Sequence, residues 1–285
     1  PFAVAMERLL FARPKIGERI MLAIAIFALC GILAYVINWA VFVPSNLAKT
    51  EHYFDLTGSA TYVTVTAVAL LLSDDLDARA VIAGLMVMVW ALRLGSFLFR
   101  RIRKAGKDAR FDELKTSFSR FLLTWTMQGL WVSLTLAAAL AAITTTTRKG
   151  LDVFALIGFL VWGFGFAIEV AADIQKSRFR ARPENKGKFI QTGLWARSRH
   201  PNYFGEIVLW IGMAIVAIPV LQGWQWATLI SPVFVAFLLI KVSGIPMLEV
   251  DWIRQLNQGL IALSNLLIPG RGRGADPDGW VHRVF

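Results

Sequence analysis

Asn202 and Glu206 stand four residues apart in the stretch GLWARSRHPNYFGEIVLW (193–210), immediately after a proline and several cationic groups. On a helix that spacing puts both side chains on one face. A carboxylate accepts from an amide NH2 and an amide oxygen beside it completes a two-point grip, so the pair suits a ligand carrying a primary carboxamide. Pro201 can open the helix, because its missing N–H is one of the unpaired donors of the first turn. A helix N-terminus with Arg197 and Arg199 just upstream is a ready anion site. The structural alternative makes Asn202 a cap-like residue and Glu206 a partner of the helix dipole. Glu169 and Asp173 repeat the four-residue spacing, and Lys176 and Arg180 continue the same face, so that face runs from carboxylate to cation. Carboxylates accept from sugar hydroxyls and cations take phosphate; a row of intrahelical ion pairs at a membrane surface is the competing reading. Arg93 lies six residues inside the expected end of an apolar run, about 9 Å deep by helix rise, where it either snorkels or faces inward as a buried donor. Lys241 closes the last apolar run as a snorkelling lysine or a phosphate contact. Glu51 and Tyr53, in TEHYFDLTGS (50–59), are the candidate catalytic proton donors toward a substrate carbonyl or alkene carbon. Interface polarity explains that cluster equally well.

The elements that must position these groups follow from composition. The 285 residues are 56% hydrophobic with a mean hydropathy of +0.58, the signature of repeated membrane spans. Apolar runs predict seven helices, over 20–43, 58–72, 80–99, 119–143, 151–172, 203–221 and 224–240, against the roughly 20 residues needed to cross. The second run is short and must borrow flanking residues. The stretch 260–268 is too short to span. The chain therefore reads as an all-α integral membrane protein in three parts: a pre-membrane segment 1–19, one transmembrane domain 20–250 whose cofactor-binding half is about 150–250, and an interfacial segment with a polar tail, 251–285.

A net charge of +11 must crowd into loops, and it does: 100–118 holds seven Lys and Arg, and 173–202 holds eight. By the positive-inside rule both loops face the cytosol or its equivalent, giving N-out, C-in, although Arg8, Arg13, Lys15 and Arg19 in the leading segment oppose it. Which membrane is not distinguishable. Cys30 stands alone, so there is no disulfide. His52, His200 and His282 lack partners at metal spacing, which argues against a zinc site. No G-x-G-x-x-G after a strand, P-loop, G-x-S-x-G or nucleic-acid motif is present.

The stretch GLWARSRHPNYFGEIVLW resembles the C-terminal signature of the steroid 5α-reductase-like membrane enzymes, and is similar to motifs of the related sterol reductases and isoprenylcysteine methyltransferases. Residues 168–193, LTGSATY (56–62), WALRLGSFLFRRI (90–102) and KVSGIPMLE (241–249) extend the resemblance over roughly 50–250, closest to an uncharacterised subfamily. It implies a seven-helix bundle with NADPH at the cytosolic side and nicotinamide directed into a lipid-accessible cavity. It further implies Asn202 and Glu206 on the nicotinamide amide, Glu169 and Asp173 on the adenosine half or its ribose, and Arg180 and Lys188 on phosphates. Arg93 falls at a cofactor-contacting arginine; Arg199 and Lys241 complete the expected cofactor set. Two departures stand out. The family's ketone-polarising tyrosine on the third helix is Trp90 here, and the tail after Glu249 keeps a terminal I-P but lacks the usual tyrosines.

The first functional expectation is an NADPH-dependent reductase of an activated C=C bond in a lipid, such as a steroid, sterol or polyprenyl enone. The alternatives are an S-adenosylmethionine-dependent methyltransferase of the isoprenylcysteine type, and a non-catalytic subunit of a membrane complex that keeps the fold. Membrane lipids and a lipid substrate are the expected partners, with no nucleic acid.

Overall fold

The computed structural model describes residues 16–106, 108 and 111–242. Six long helices carry the architecture: α1 Ile16–Leu47, α2 Phe54–Leu72, α3 Ala78–Ala105, α4 Phe118–Thr144, α5 Val153–Arg180 and α6 Pro201–Ala217. A seventh apolar run, Gly223–Val242, is built from a 3-10 stretch Gly223–Leu229, a short helix α7 Ile230–Phe237 and a π-helical turn Leu238–Val242. All seven runs are long and apolar enough to cross a membrane, and no strand occurs among the described residues. The chain is a multi-pass membrane protein with an all-helical fold. It divides into two compact units at Ala236/Phe237, the second of which is described only over residues 237–242. The segments 1–15 and 243–285 lie outside the described residues, and with them the expected interfacial stretch 260–268, Glu249 and the polar tail.

Helix boundaries differ from those read off the apolar runs for identifiable reasons. The second span starts at Phe54 rather than 58 and so reaches 19 residues, absorbing Asp55 and Thr57, because Thr57 Oγ1 donates back to Tyr53 O at 2.7 Å and needs no other partner. The third runs to Ala105, past the basic residues Arg100–Lys104, and stops at Gly106 with φ +83. The fifth runs to Arg180 because charged side chains at its end still form good helix. Asp77 and Asp152 cap α3 and α5 by accepting from Ala80 N at 2.9 Å and Ala155 N at 3.0 Å.

In the first unit α4 is the hub. Its half Thr135–Thr144 is buried throughout, and the run Ala137–Ala142 is mostly alanine, which lets neighbouring backbones approach. α5 and α6 pack more closely still. A Cβ on Gly205 would stand 2.6 Å from both Glu169 N and Gly165 O. The two helices therefore touch through backbone, which fixes Asn202 and Glu206 against Glu169 and Asp173. At the opposite end the side chain of Arg79 is fully buried. It pairs with Asp152 at 2.7 Å and donates to Gly150 O at 2.9 Å and Val216 O at 2.7 Å, joining the starts of α3 and α5 to the end of α6. Arg19 pairs with Asp75 on that same face at 2.8 Å, which accounts for a basic residue on the side that the loop charges leave acidic.

Candidate active site

Arg93 points into the bundle. Its guanidinium divides between two carboxylates of α5, with Nη1 donating to Glu169 Oε1 and Nη2 to Asp173 Oδ2, each at 2.7 Å. The α5 carboxylates are thus bridged between helices rather than paired along their own. Glu169 is 2% exposed and Asp173 5%. A single guanidinium cannot balance two buried carboxylates, and Glu206 lies within electrostatic reach of both acids and of Arg93. Three carboxyl groups thus gather around one cation in a setting where every ion needs a partner. The remaining lone pairs of this cluster suit hydroxyl or amide donors.

Asn202 lies one turn before Glu206. Its Oδ1 is buried with no hydrogen-bond partner, an arrangement that costs roughly 1–3 kcal/mol when left unmade. Glu169 Oε2 accepts a further bond from Trp90 Nε1 at 3.2 Å. Trp90, expected to stand where a tyrosine would act, instead holds the carboxylate in place. Its ring meets Tyr62 edge-on at 5.0 Å and Trp210 edge-on at 5.1 Å.

Toward the loop end the charge inverts. Lys176, Arg180 and Arg101 are mutual electrostatic neighbours, with Asp173 on their inner side. Lys176 also sits 4.5 Å over the ring of Trp195, whose Nε1 donates to Ala172 O. Arg101, from the end of α3, lies 3.7 Å from Asp55. Carboxylates inside and cations one to two turns outward make a polar wall that changes sign along its length.

Of the other expected residues, Glu51, Tyr53 and Lys188 are set apart from this cluster. Lys188 and Arg199 are exposed on the segment 181–200, and among the described residues the Lys188 side chain makes no contact with the cluster. Lys241 is exposed in the π-helical turn of the second unit. Glu51 is engaged in an ion pair. It accepts from Lys115 Nζ at 2.7 Å and from Asp108 N–H at 2.9 Å. Burial pushes its carboxyl up, but these hydrogen bonds outweigh burial and hold it below the usual carboxylate range. Lys115 is raised in turn, by the hydrogen bond to Glu51 against a smaller effect of burial. Tyr53 is 52% exposed at the start of α2.

Tyr62, Thr135, Trp210 and Arg101 were not singled out by the sequence. A signal existed for Tyr62: it shares a face of α2 with Thr66, four residues on, inside an apolar run. Thr57 and Thr61 are satisfied by their own helix, whereas the Tyr62 hydroxyl turns to Thr135 of α4 and the Thr66 hydroxyl is buried without a partner.

A stretch of 66 residues is 32% identical to the Probable O-methyltransferase ustE of Ustilaginoidea virens, covering 23% of this chain and 23% of that protein. The chain thus matches under a quarter of that relative's length. No solved structure matches the chain. Residues 41–260, which include the Arg93 cluster, Asn202 and Glu206, match the family described as a protein of unknown function, DUF1295, and the chain belongs to that family.

Proposed function

We propose that the chain is an NADPH-dependent membrane reductase of an activated C=C bond in a lipid enone, in line with its resemblance to the steroid 5α-reductase-like enzymes. One observation carries this reading. A buried, unpartnered amide oxygen, Asn202 Oδ1, stands one turn from Glu206 in a carboxylate cluster, and that cluster adjoins the cations Lys176, Arg180 and Arg101. The orphaned acceptor fits a carboxamide NH2, the carboxylates fit ribose hydroxyls, and the cations fit phosphates. A dinucleotide presents these three chemistries in that order along one molecule. NADPH, when bound, supplies a hydride. The protein's own contribution is to orient the ligand, neutralise its phosphates, and keep water from the reacting carbons by placing them at membrane depth.

A second reading is an S-adenosylmethionine-dependent methyltransferase, and the relative named as a probable O-methyltransferase favours it. Its net cationic ligand would suit the three carboxyl groups, but it carries no phosphate to meet Lys176, Arg180 and Arg101. Denaturing the purified protein and identifying released nucleotide by mass spectrometry separates the two. We expect NADP(H). Recovery of S-adenosyl species overturns the reductase reading in favour of transfer, and a protein that neither releases nor binds NADPH overturns it outright.

A further inference from the structure

At the Arg79 end of the bundle, about 21 Å along α3 from Arg93 by helix rise, a small cleft joins the start of α1 to the turns that follow α2 and α4. Arg19, Leu22 and Ile26 line it from α1, Ser73 and Asp74 from the α2–α3 turn, and Arg148 from the α4–α5 turn. Arg148 is clamped in place by two backbone carbonyls, with Nη1 donating to Ile143 O at 3.1 Å and Nη2 to Asp74 O at 3.0 Å. Its Nε is buried and bonds nothing, and the Ser73 hydroxyl is buried and bonds nothing either. Two unsatisfied donors on one cleft are a standing cost that a single acceptor would remove.

The charges around the cleft select that acceptor. Burial holds the Arg148 guanidinium below its ordinary pKa; Asp77 opposes this, Arg19 adds to it and Asp75 opposes it. Both of these acids are committed elsewhere, Asp77 to Ala80 N and Gly150 N and Asp75 to Arg19. An incoming anion would therefore relieve Arg148 in a way that a neutral acceptor does not. Asp74 is exposed on the same cleft, which would repel a plain anion and attract a cationic group beside it. Leu22 and Ile26 stand one turn apart on α1, with Leu22 39% exposed, and give the cleft an apolar wall that descends from Arg19 along a membrane-spanning helix. An ammonium, a phosphate and an acyl chain occur in that order in an aminophospholipid.

We propose that this cleft binds the headgroup of a zwitterionic aminophospholipid from the leaflet at the Arg79 end. A phosphate oxygen accepts from Arg148 Nε and Ser73 Oγ, the ammonium meets the Asp74 carboxylate, and an acyl chain lies along Leu22 and Ile26. The cleft is small, so only the phosphate oxygen enters it and the rest of the headgroup lies at its mouth. Bound there, the lipid fastens α1 to the turns after α2 and α4. The site is separate from the cofactor proposed at the other end and does not depend on it.

The test uses the full-length protein stripped of lipid in detergent. Dioleoyl phosphatidylethanolamine and dioleoyl phosphatidylglycerol are titrated separately while native mass spectrometry counts bound lipid. Wild type should bind the ethanolamine lipid about threefold more tightly, the worth of an exposed ion pair, and binding should raise the melting midpoint. Ser73→Ala should bind both lipids about tenfold more weakly, for one lost hydrogen bond to a charged group. It should melt with wild type when lipid-free, because the hydroxyl bonds nothing in the protein. Asp74→Asn should lose only the preference between the lipids, since its backbone carbonyl still holds Arg148. Sodium phosphate, which has no acyl chain, should not displace the lipid. Wild type that retains neither lipid, unchanged affinities in Ser73→Ala, as for a cleft that holds only water, a preference that survives Asp74→Asn, or displacement by free phosphate overturns the proposal.

Discussion

A guanidinium shared by two carboxylates is costly to desolvate and costlier to break, since removing one member strands the others. Arg93 is therefore held in place by the very charges it neutralises, and Glu206 adds an acid that no described cation fully meets. Glu51 and Lys115 show the opposite use of charge, because their bond ties the segment before α2 to the turn before α4. That pair makes a pH-dependent contribution with a definite sign. Glu51 is depressed, so its contribution is present above the ordinary carboxyl pKa of about 4.3 and fades as pH falls through its folded value; Lys115 is raised, so its contribution is present below about 10.4 and fades as pH rises through its own. Lys115→Met should thus lower stability by roughly 1.5–3 kcal/mol between about pH 5 and 10. Thermal unfolding of both proteins in detergent should show the gap closing on acidification. A gap that persists undiminished to pH 3 would mean that the ion pair is not its source.

At the scale of elements, the site is set by how closely α5 and α6 approach. Gly205 is the contact that matters, because a side chain there meets backbone on two residues, Glu169 and Gly165, and neither can swing away. Gly205→Ala should destabilise toward the upper end of the roughly 1–3 kcal/mol typical of overpacking and displace Glu206 from the Arg93 cluster. Gly163, on the same helix as Gly165, has nothing within 4 Å of its would-be Cβ. Gly163→Ala should be neutral or stabilising by up to about 1 kcal/mol, the helix-propensity difference. Melting midpoints of the two variants should move in opposite directions; a parallel shift would show that tight α5–α6 contact is not what Gly205 provides.

At the scale of the molecule, the first unit is asymmetric from end to end. Arg79 closes one end with every contact made to a carboxylate or a backbone carbonyl, a cation at the carbonyl end of α6 where the helix dipole favours it. Toward the other end Asn202 Oδ1 is buried without a partner beside the carboxylate cluster. Stability and binding should accordingly separate. Arg79→Met strands Asp152 and should cost about 3–5 kcal/mol, while NADPH affinity of the folded protein is retained. Asn202→Ala should leave the melting midpoint near wild type and weaken NADPH. Calorimetric melting and nucleotide titration of both variants read this directly, and loss of NADPH binding in Arg79→Met would show that the two ends are not independent.

Hydrophobic runs and loop charge determined, by themselves, that this chain carries seven runs long and apolar enough to cross a membrane and two loops rich in Lys and Arg. Bilayer thickness and the cost of burying charge leave little freedom in that. The four-residue spacings of Glu169 with Asp173 and of Asn202 with Glu206 were equally legible, since helix periodicity is local. What each spacing faced was not. Only tertiary contact decided that Arg93 turns inward to bridge both α5 acids, that Glu51 anchors Lys115, and that Trp90 holds a carboxylate while the Tyr62 ring packs edge-on against it. Those outcomes depend on which helix lies beside which and at what rotation. Packing sets both through contacts far apart in the chain, such as Gly205 against Glu169, and one-dimensional periodicity cannot express them.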